Sequence, residues 1–380
     1  MEEIFALADA LGPLKVIHVH EPSIGLKAVL VVDNVAIGPS IGGIRMAEDV
    51  SLLECARLAR AMTLKNAAAG LPHGGGKVVV YGDPKMPRAQ KELLMRGLAR
   101  SLEEVRQYIF APDMGTDEEC MAWIRDEVDR VVALPREIGG IPLDEIGATG
   151  WGLRHVTQIA LEHLALPIRG ARVAIQGFGA VGTHAARFLQ EAGAVVVAAA
   201  DSGATVCNPE GMDAEALVAY KREQGRLEGF PGADVMASDA IVGVACDIWI
   251  PAARPDVIHE GNVHEVKAKL VVEGANIPVT HEAERMLHER GVLVIPDFIA
   301  NAGGVICAAM EYRGATQCAA FEAIEEKLHE NTRLLLEASE SEGVVPRDAA
   351  VSLARQRVET AMRLNRFSLF TQSRSSGQCS

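Results

Sequence analysis

Aromatic side chains are scarce in this sequence: Phe, Trp and Tyr together account for 4% of its 380 residues. That scarcity argues against an aromatic-lined binding groove and against a β-sandwich. Positive charge is also short, with 37 Lys and Arg set against 51 Asp and Glu for a formal charge of -14. With no basic cluster to offset it, this balance repels nucleic acid and anionic membrane surfaces. The seven cysteines are scattered, odd in number and never spaced as C-x-x-C, which argues against a disulfide framework or a cysteine-based zinc site and fits a reducing compartment. The longest apolar run, around Ala192–Ala200, is too short to span a bilayer, and the acidic start Met1-Glu2-Glu3 does not read as a signal peptide. These absences predict a cytoplasmic protein with neither nucleic acid nor membrane as partner.

Hydrophobic residues, by contrast, reach 49%, and glycines number 36. A chain of this length predicts two domains, and so many small residues suit helices packed closely on a parallel sheet. Ala28–Val32 and Val35–Ile37 read as short strands flanking an Asp33-Asn34 hairpin turn. Ser51–Ala69 and Arg88–Leu102 read as helices, with Lys77–Val80 a buried strand between them. From about Thr149 the pattern becomes strand, Gly-rich turn and helix, repeated. Candidate strands there are Arg172–Gln176, Val195–Ala199, Asp247–Ile250, Leu270–Glu273 and Val292–Ile295, which predicts an α/β fold with a doubly wound parallel sheet. Ile138–Ile146 reads as the hinge, and a helical pattern runs from Asn301 to about Leu364 before a polar tail.

Gly177-Phe178-Gly179-Ala180-Val181-Gly182 stands between the strand Arg172–Gln176 and a helix over Thr183–Glu191. In that setting the glycines permit a tight turn and close approach of a pyrophosphate to the helix N-terminus. Asp201 and Ser202 follow the next strand, where a carboxylate binds ribose hydroxyls. Asp201 suits NAD, while Asp201-Ser202-Gly203 leaves room for the 2′-phosphate of NADP. Pro251-Ala252-Ala253, Gly274-Ala275-Asn276 and Asn301-Ala302-Gly303-Gly304 follow later strands and would lie over the same ligand. Asn276 and Asn301 are placed to bond nicotinamide ribose, amide or substrate, with plain turn formation as the alternative.

A second kind of chemistry is concentrated earlier. Lys65 has Ala61, Met62, Ala68 and Ala69 around it at helical spacing, so its ammonium points inward and calls for an anion, unless it snorkels to the surface. Gly74–Gly76 precede Lys77 and would let the backbone approach a ligand. Two lysines in one pocket depress each other's pKa, which makes one a base at neutral pH or a carbonyl polariser while protonated. Asp113 is displayed at a strand-to-helix turn, ahead of a capping box formed by Thr116 and Glu119. His73 adjoins the lysines and is a candidate to tune them. His18 and His20 alternate on a strand without a third ligand at suitable spacing, so no metal site is expected.

Taken in order, Gly42-Gly43-Ile44-Arg45, Met62-Thr63-Leu64-Lys65-Asn66, Gly74-Gly75-Gly76-Lys77 and Ala111-Pro112-Asp113-Met114-Gly115-Thr116 resemble motifs of the glutamate/leucine/phenylalanine/valine dehydrogenases. So do Ala148-Thr149-Gly150, the Gly177–Gly182 turn, Glu273-Gly274-Ala275-Asn276 and Asn301-Ala302-Gly303-Gly304-Val305. The resemblance covers most of the chain and implies two α/β domains. One, over 1–147, would bind substrate and oligomerise, with C-terminal helices from about 335–380 packing back on it; the other, over 148–334, would be a Rossmann-type NAD(P)-binding domain. The implied reaction is reversible oxidative deamination of an L-amino acid to a 2-oxo acid and ammonia with NAD or NADP, in a homo-hexamer or octamer. The resemblance casts Lys65 as the α-carboxylate ligand, Lys77 as the lysine that activates water, and Asp113 as the proton carrier. It puts Gly43 in the substrate pocket, Thr149 on the nicotinamide amide and Asn276 on the cofactor or α-carboxylate.

Three positions depart from the glutamate enzymes of the family. Ile41 stands where they carry a lysine, Ala308 where they carry a serine, and Met62 where they carry a glutamine. All three changes make the pocket apolar, so an apolar amino acid such as leucine, valine or phenylalanine is expected. Glutamate is the alternative within the same chemistry, and a catalytically idle regulatory subunit is the alternative outside it.

Overall fold

β-Branched and small residues build the first sheet. Its elements are β1 (Lys15–Glu21), β2 (Leu26–Asn34), β3 (Ser40–Ala47), α1 (Leu52–Ala68), β4 (Gly74–Tyr81), α2 (Arg88–Ser101), β5 (Tyr108–Pro112) and α3 (Glu118–Arg125). The strands lie in the order β1-β2-β4-β3-β5, with β3 parallel to both β4 and β5. Side chains alternate across a strand, so β3 and β4 each have two distinct faces. Ile44, Met46, Val78 and Val80 pack with Leu94, Met95 and Leu98 of α2 and with Met121 and Ile124 of α3. The opposite face carries Ile41, Gly43, Arg45, Gly75, Lys77 and Val79, and Val79 packs with Cys55 and Ala59 of α1.

Two expectations fail here. Asp33 and Asn34 do not turn the chain; they continue β2, which pairs antiparallel with both β1 and β4. Both find buried partners that a surface turn lacks. Asp33 accepts from Arg60 Nε (2.9 Å) and Thr63 Oγ1 (2.6 Å), and Asn34 donates to the Leu11 carbonyl at 2.7 Å. Likewise Gly74–Gly76 are not a ligand loop but part of β4. A Cβ on Gly75 would sit 2.0 Å from the Thr63 backbone nitrogen, and one on Gly74 1.8 Å from the Asn34 carbonyl oxygen. These glycines exist so that α1 and β2 can lie directly against β4.

The computed structural model describes residues 5–364, and the chain divides into two units. One takes in the chain up to Pro142, Ala308–Gln317 and 351–364; the other takes in Leu143–Cys307 and Cys318–Ala350. The first division therefore falls inside Ile138–Ile146, earlier than the border expected at 147. The stretch 335–350 goes with the second unit because Arg347 is held there by Glu273, Glu284 and Asp297. From 351 the last helix returns to the first unit, where Arg357 Nη1 donates to the Ala67 and Ala68 carbonyls at the end of α1 (both 2.9 Å).

The second unit contains α4 (Ala148–His163), β6 (Arg172–Gln176), α5 (Ala180–Glu191), β7 (Val195–Ala200), β8 (Thr205–Met212), α6 (Ala214–Gln224) and β9 (Asp234–Met236). These are followed by β10 (Ile248–Pro251), β11 (Leu270–Val272), α7 (His281–Glu289), β12 (Leu293–Ile295) and α8 (Asp297–Ala300). The chain ends with α9 (Gly303–Tyr312), α10 (Gln317–Glu342) and α11 (Pro346–Leu364). The sheet order is β12-β11-β10-β6-β7-β8-β9. β12 through β7 are parallel, as a Rossmann-type domain requires, but β8 and β9 add an antiparallel edge that the repeating pattern did not predict. Among the described residues no helix is long and apolar enough to cross a membrane. The polar tail lies outside the described residues.

Candidate active site

In the first unit the chemistry gathers around Lys77, in the middle of β4. Its Nζ donates to Asp113 Oδ2 at 2.7 Å, and Arg45 Nε donates to the same oxygen at 2.9 Å. Gly43 makes the meeting possible: a Cβ there would lie 2.7 Å from Asp113 Cβ and 3.1 Å from Lys77 Nζ. The Asp113 turn is held by Thr116, whose Oγ1 accepts from the Asp113 backbone N–H (3.0 Å) and donates to the Ile44 carbonyl (2.7 Å). Thr116 is therefore not the expected helix cap; Asp117 caps α3, accepting from Cys120 N at 2.9 Å.

Lys77 is 5% exposed and the Asp113 side chain 28%, so the pair is sheltered but reachable. Burial pushes the Lys77 ammonium below the usual lysine range; Asp113 opposes this, while Arg45 adds like-charge repulsion. For Asp113 burial acts upward, but Lys77 and Arg45 outweigh it and hold the carboxyl below its ordinary value. The site thus keeps a carboxylate ionised beside an amine inclined to lose its proton. Cys55 lies beneath, donating to the Lys77 carbonyl at 3.2 Å, and burial pushes its thiol up to about 12, so it stays inert.

Lys65 and Met62 are half-buried on α1, the helix that covers this face of the sheet. Ile41 is buried and shares its strand face with Gly43 and Arg45; Ala308 is buried in α9. His73 is buried with Nδ1 3.1 Å from the Pro39 carbonyl, its ring edge-on to Tyr312 and its pKa pushed down to about 4 by burial. Arg45 was the residue that sequence reasoning passed over. Its position two residues after Gly43 on a strand was the available signal, because i and i+2 share a face.

In the second unit the Gly177–Gly182 turn has the division of labour that a dinucleotide needs. Gly177 has φ +93 and lies against Ala252 and Ala253; Gly179 faces open space; Gly182 packs directly on the Gly177 carbonyl. The helix that begins at Ala180 starts earlier than expected and points its free N–H groups at the turn. The turn borders a cavity of about 750 Å³ lined also by Ser202, Lys221, Ser238 and Arg254. Val181 lies in the first turn of that helix, and Phe178 is buried beneath. Space, backbone donors and side chains fit a dinucleotide.

Asp201 lines the same cavity and is held by the protein. Its Oδ1 accepts from Gly203 N (2.9 Å) and Ala204 N (3.2 Å), and its Oδ2 from Lys221 Nζ (2.6 Å) and Leu227 N (2.9 Å). These four bonds fix the carboxylate in the wall of the cavity. Lys221 carried no readable signal, being one charged residue on a mostly exposed helix. Asn276 and Asn301 do come together: Asn301 Nδ2 donates to Asn276 Oδ1 at 3.1 Å and to the Ala275 carbonyl at 3.2 Å. Thr149 stands in the first turn of α4, where Gly304 lets α9 approach its hydroxyl.

Comparison with known proteins agrees with this geometry. The family described as Glutamate/Leucine/Phenylalanine/Valine dehydrogenase matches residues 139–366, and the Glu/Leu/Phe/Val dehydrogenase dimerisation domain matches residues 13–130. An NADP(+)-dependent glutamate dehydrogenase from Pyrobaculum calidifontis is 38% identical over 361 residues, covering 87% of this chain and 84% of its own. The hetero-hexameric glutamate dehydrogenase of Thermus thermophilus, solved in a leucine-bound form, superposes with a TM-score of 0.82 at 29% identity, covering 93% of this chain and 90% of that one. L-tryptophan dehydrogenase from Nostoc punctiforme superposes with a TM-score of 0.76 at 25% identity, covering 95% and 100%. With both of its units matched and the lysine, aspartate and glycine motifs in place, this chain belongs to the Glu/Leu/Phe/Val dehydrogenase family of NAD- or NADP-dependent amino acid dehydrogenases.

Proposed function

We propose that this chain reversibly deaminates L-glutamate to its 2-oxo acid and ammonia, with Lys77 and Asp113 as its catalytic residues. The observation that carries the chemistry is the sheltered Lys77–Asp113 pair, 2.7 Å apart, with Arg45 on the same carboxylate oxygen. A dinucleotide bound along Gly177–Gly182 supplies the hydride acceptor. Lys65 holds the substrate α-carboxylate. Asp113, kept ionised by its two cations, stabilises the positive charge left on the iminium nitrogen once hydride has gone from Cα, and carries protons to and from that nitrogen. Lys77, inclined by burial toward the neutral amine, takes a proton from the water that adds to the iminium carbon, then polarises the product carbonyl in its protonated form. Thr149, Ala252, Asn276 and Asn301 surround the nicotinamide end, and Ser202 lies toward the adenosine end.

Glutamate takes precedence over the apolar substrate expected from sequence because glutamate dehydrogenases recur among the relatives. Buried Ile41 and Ala308 support the apolar reading as the second one. A glutamate side chain must find a cation other than a lysine at position 41, since an unpaired buried carboxylate costs several kcal/mol. The dimerisation-domain match and the hetero-hexameric neighbour support an oligomer, for which a homo-hexamer is the first expectation. Initial rates with glutamate, leucine, phenylalanine and tryptophan, each with NAD and NADP, test the assignment. Glutamate is expected to show the highest kcat/KM. A preference for leucine or an aromatic acid would replace glutamate with the apolar reading, and no turnover with any amino acid would point to a regulatory subunit.

A further inference from the structure

α4 and α10 meet along a seam of rings away from the dinucleotide cavity. Trp151 of α4 packs on Phe321 of α10 at 5.3 Å between centroids, and on His155 at 4.5 Å. His155 is 3% exposed. Its Nδ1 lies 3.0 Å from His329 Nε2, and its Nε2 lies 3.8 Å from Glu325 Oε2. Glu325 and His329 are spaced i, i+4 on α10, so one helix face presents both. One ligand atom from each of the three residues falls within 4.8 Å of the others.

Hydrogen bonding within the trio leaves this group incomplete. A single N–H shared between the two imidazoles accounts for the short contact, but His155 Nε2 then has no hydrogen-bond partner. A buried ring nitrogen left unsatisfied is unfavourable and uncommon. Its separation from Glu325 is too long for a hydrogen bond, yet suits two ligand atoms on one ion with bonds of about 2.0–2.2 Å.

We propose that His155, Glu325 and His329 form a binding site for a divalent transition-metal cation of the zinc class, linking α4 to α10. Two imidazoles and one carboxylate favour zinc or nickel over magnesium or calcium, which prefer oxygen ligands throughout. The Glu325 side chain is 47% exposed, so an ion can enter from its side and keep water as a fourth ligand. Bound there, the ion fixes the helix that carries Thr149 in its first turn but takes no part in the deamination chemistry. Its role is to hold α4, and it is independent of which amino acid is oxidised.

The test uses the untagged full chain, stripped of metal with a chelator and titrated with zinc chloride at neutral pH by calorimetry and thermal denaturation. One zinc ion per chain and a rise in Tm are expected. Nickel should also quench tryptophan fluorescence, because Trp151 touches His155. His329→Ala and Glu325→Gln, both at partly exposed positions, should weaken zinc binding by about ten-fold or more, while His18→Ala should leave it unchanged. Absence of stoichiometric binding would overturn the site. So would wild-type affinity in both α10 variants, or a loss that follows His18 instead.

Discussion

Each unit shelters a group of charges around its key residues, and the two groups differ in balance and in access. In the first unit Lys77 and Arg45 share the Asp113 carboxylate, and Arg45 also pairs with Glu54 at 2.7 Å, so two cations face two carboxylates. In the second a single cation, Arg347, faces three carboxylates: Glu273 at 2.8 Å, Glu284 at 2.7 Å and Asp297 at 3.0 Å. A balanced group with a partly exposed carboxylate yields a site that can exchange protons, because burial and Arg45 both press Lys77 toward neutrality. Excess negative charge around a buried arginine yields a clamp. Burial drives the Glu273 carboxyl well above its ordinary range, with Arg347 opposing and the neighbouring carboxylates reinforcing the rise. Asp297 Oδ2 also accepts from Ile277 N at 2.9 Å, so the clamp braces the turn that carries Asn276. A sheltered ion group becomes catalytic or structural according to its charge balance and whether a ligand can reach it.

The comparison is broken most directly at Lys77. Lys77→Ala should lower kcat by about 10²–10⁴-fold, the usual share of general acid–base catalysis, with dinucleotide binding by calorimetry unchanged. Near-normal turnover would remove Lys77 from the chemistry. Next in size is the clamp: Arg347→Met leaves three acids without their cation and should cost about 3–5 kcal/mol of stability in urea denaturation. A loss under about 1 kcal/mol would mean that the carboxylates rearrange and that the group is no clamp. The smallest effect is the most discriminating. Arg45 holds the Asp113 carboxyl down and also disfavours protonated Lys77, so Arg45→Gln should raise both pKa values. Both limbs of the pH profile of kcat/KM should then move to higher pH, by about one unit or less. An unshifted profile would show that Arg45 only positions the carboxylate.

Legibility from sequence was uneven for physical reasons. The Gly177–Gly182 turn was readable because strand, turn and helix are contiguous, and local backbone demands fix all three glycines. Lys77 and Asp113 were readable as candidates, yet their contact depends on β3 lying between β4 and β5, a pairing of distant segments. Asp33-Asn34 misled because turn-forming residues were neutralised by Arg60 and Thr63 on another element. β8 escaped notice because Asn208-Pro209-Glu210-Gly211 looks like a loop, and as part of an antiparallel edge it needs no continuous apolar run.

What the sequence determined by itself was local: the alternation that makes strands, the helix periodicity, the glycines of the dinucleotide turn and the type of chemistry its lysines and aspartate allow. Tertiary structure decided which groups meet. Only folding gives Asp113 two cations, fills the acceptors of Asp201 with protein donors, and turns Gly74–Gly76 from an expected ligand loop into packing space for α1, β2 and Tyr108. The reason is that pKa and hydrogen-bond capacity belong to an environment, and that environment is assembled from residues far apart in the chain.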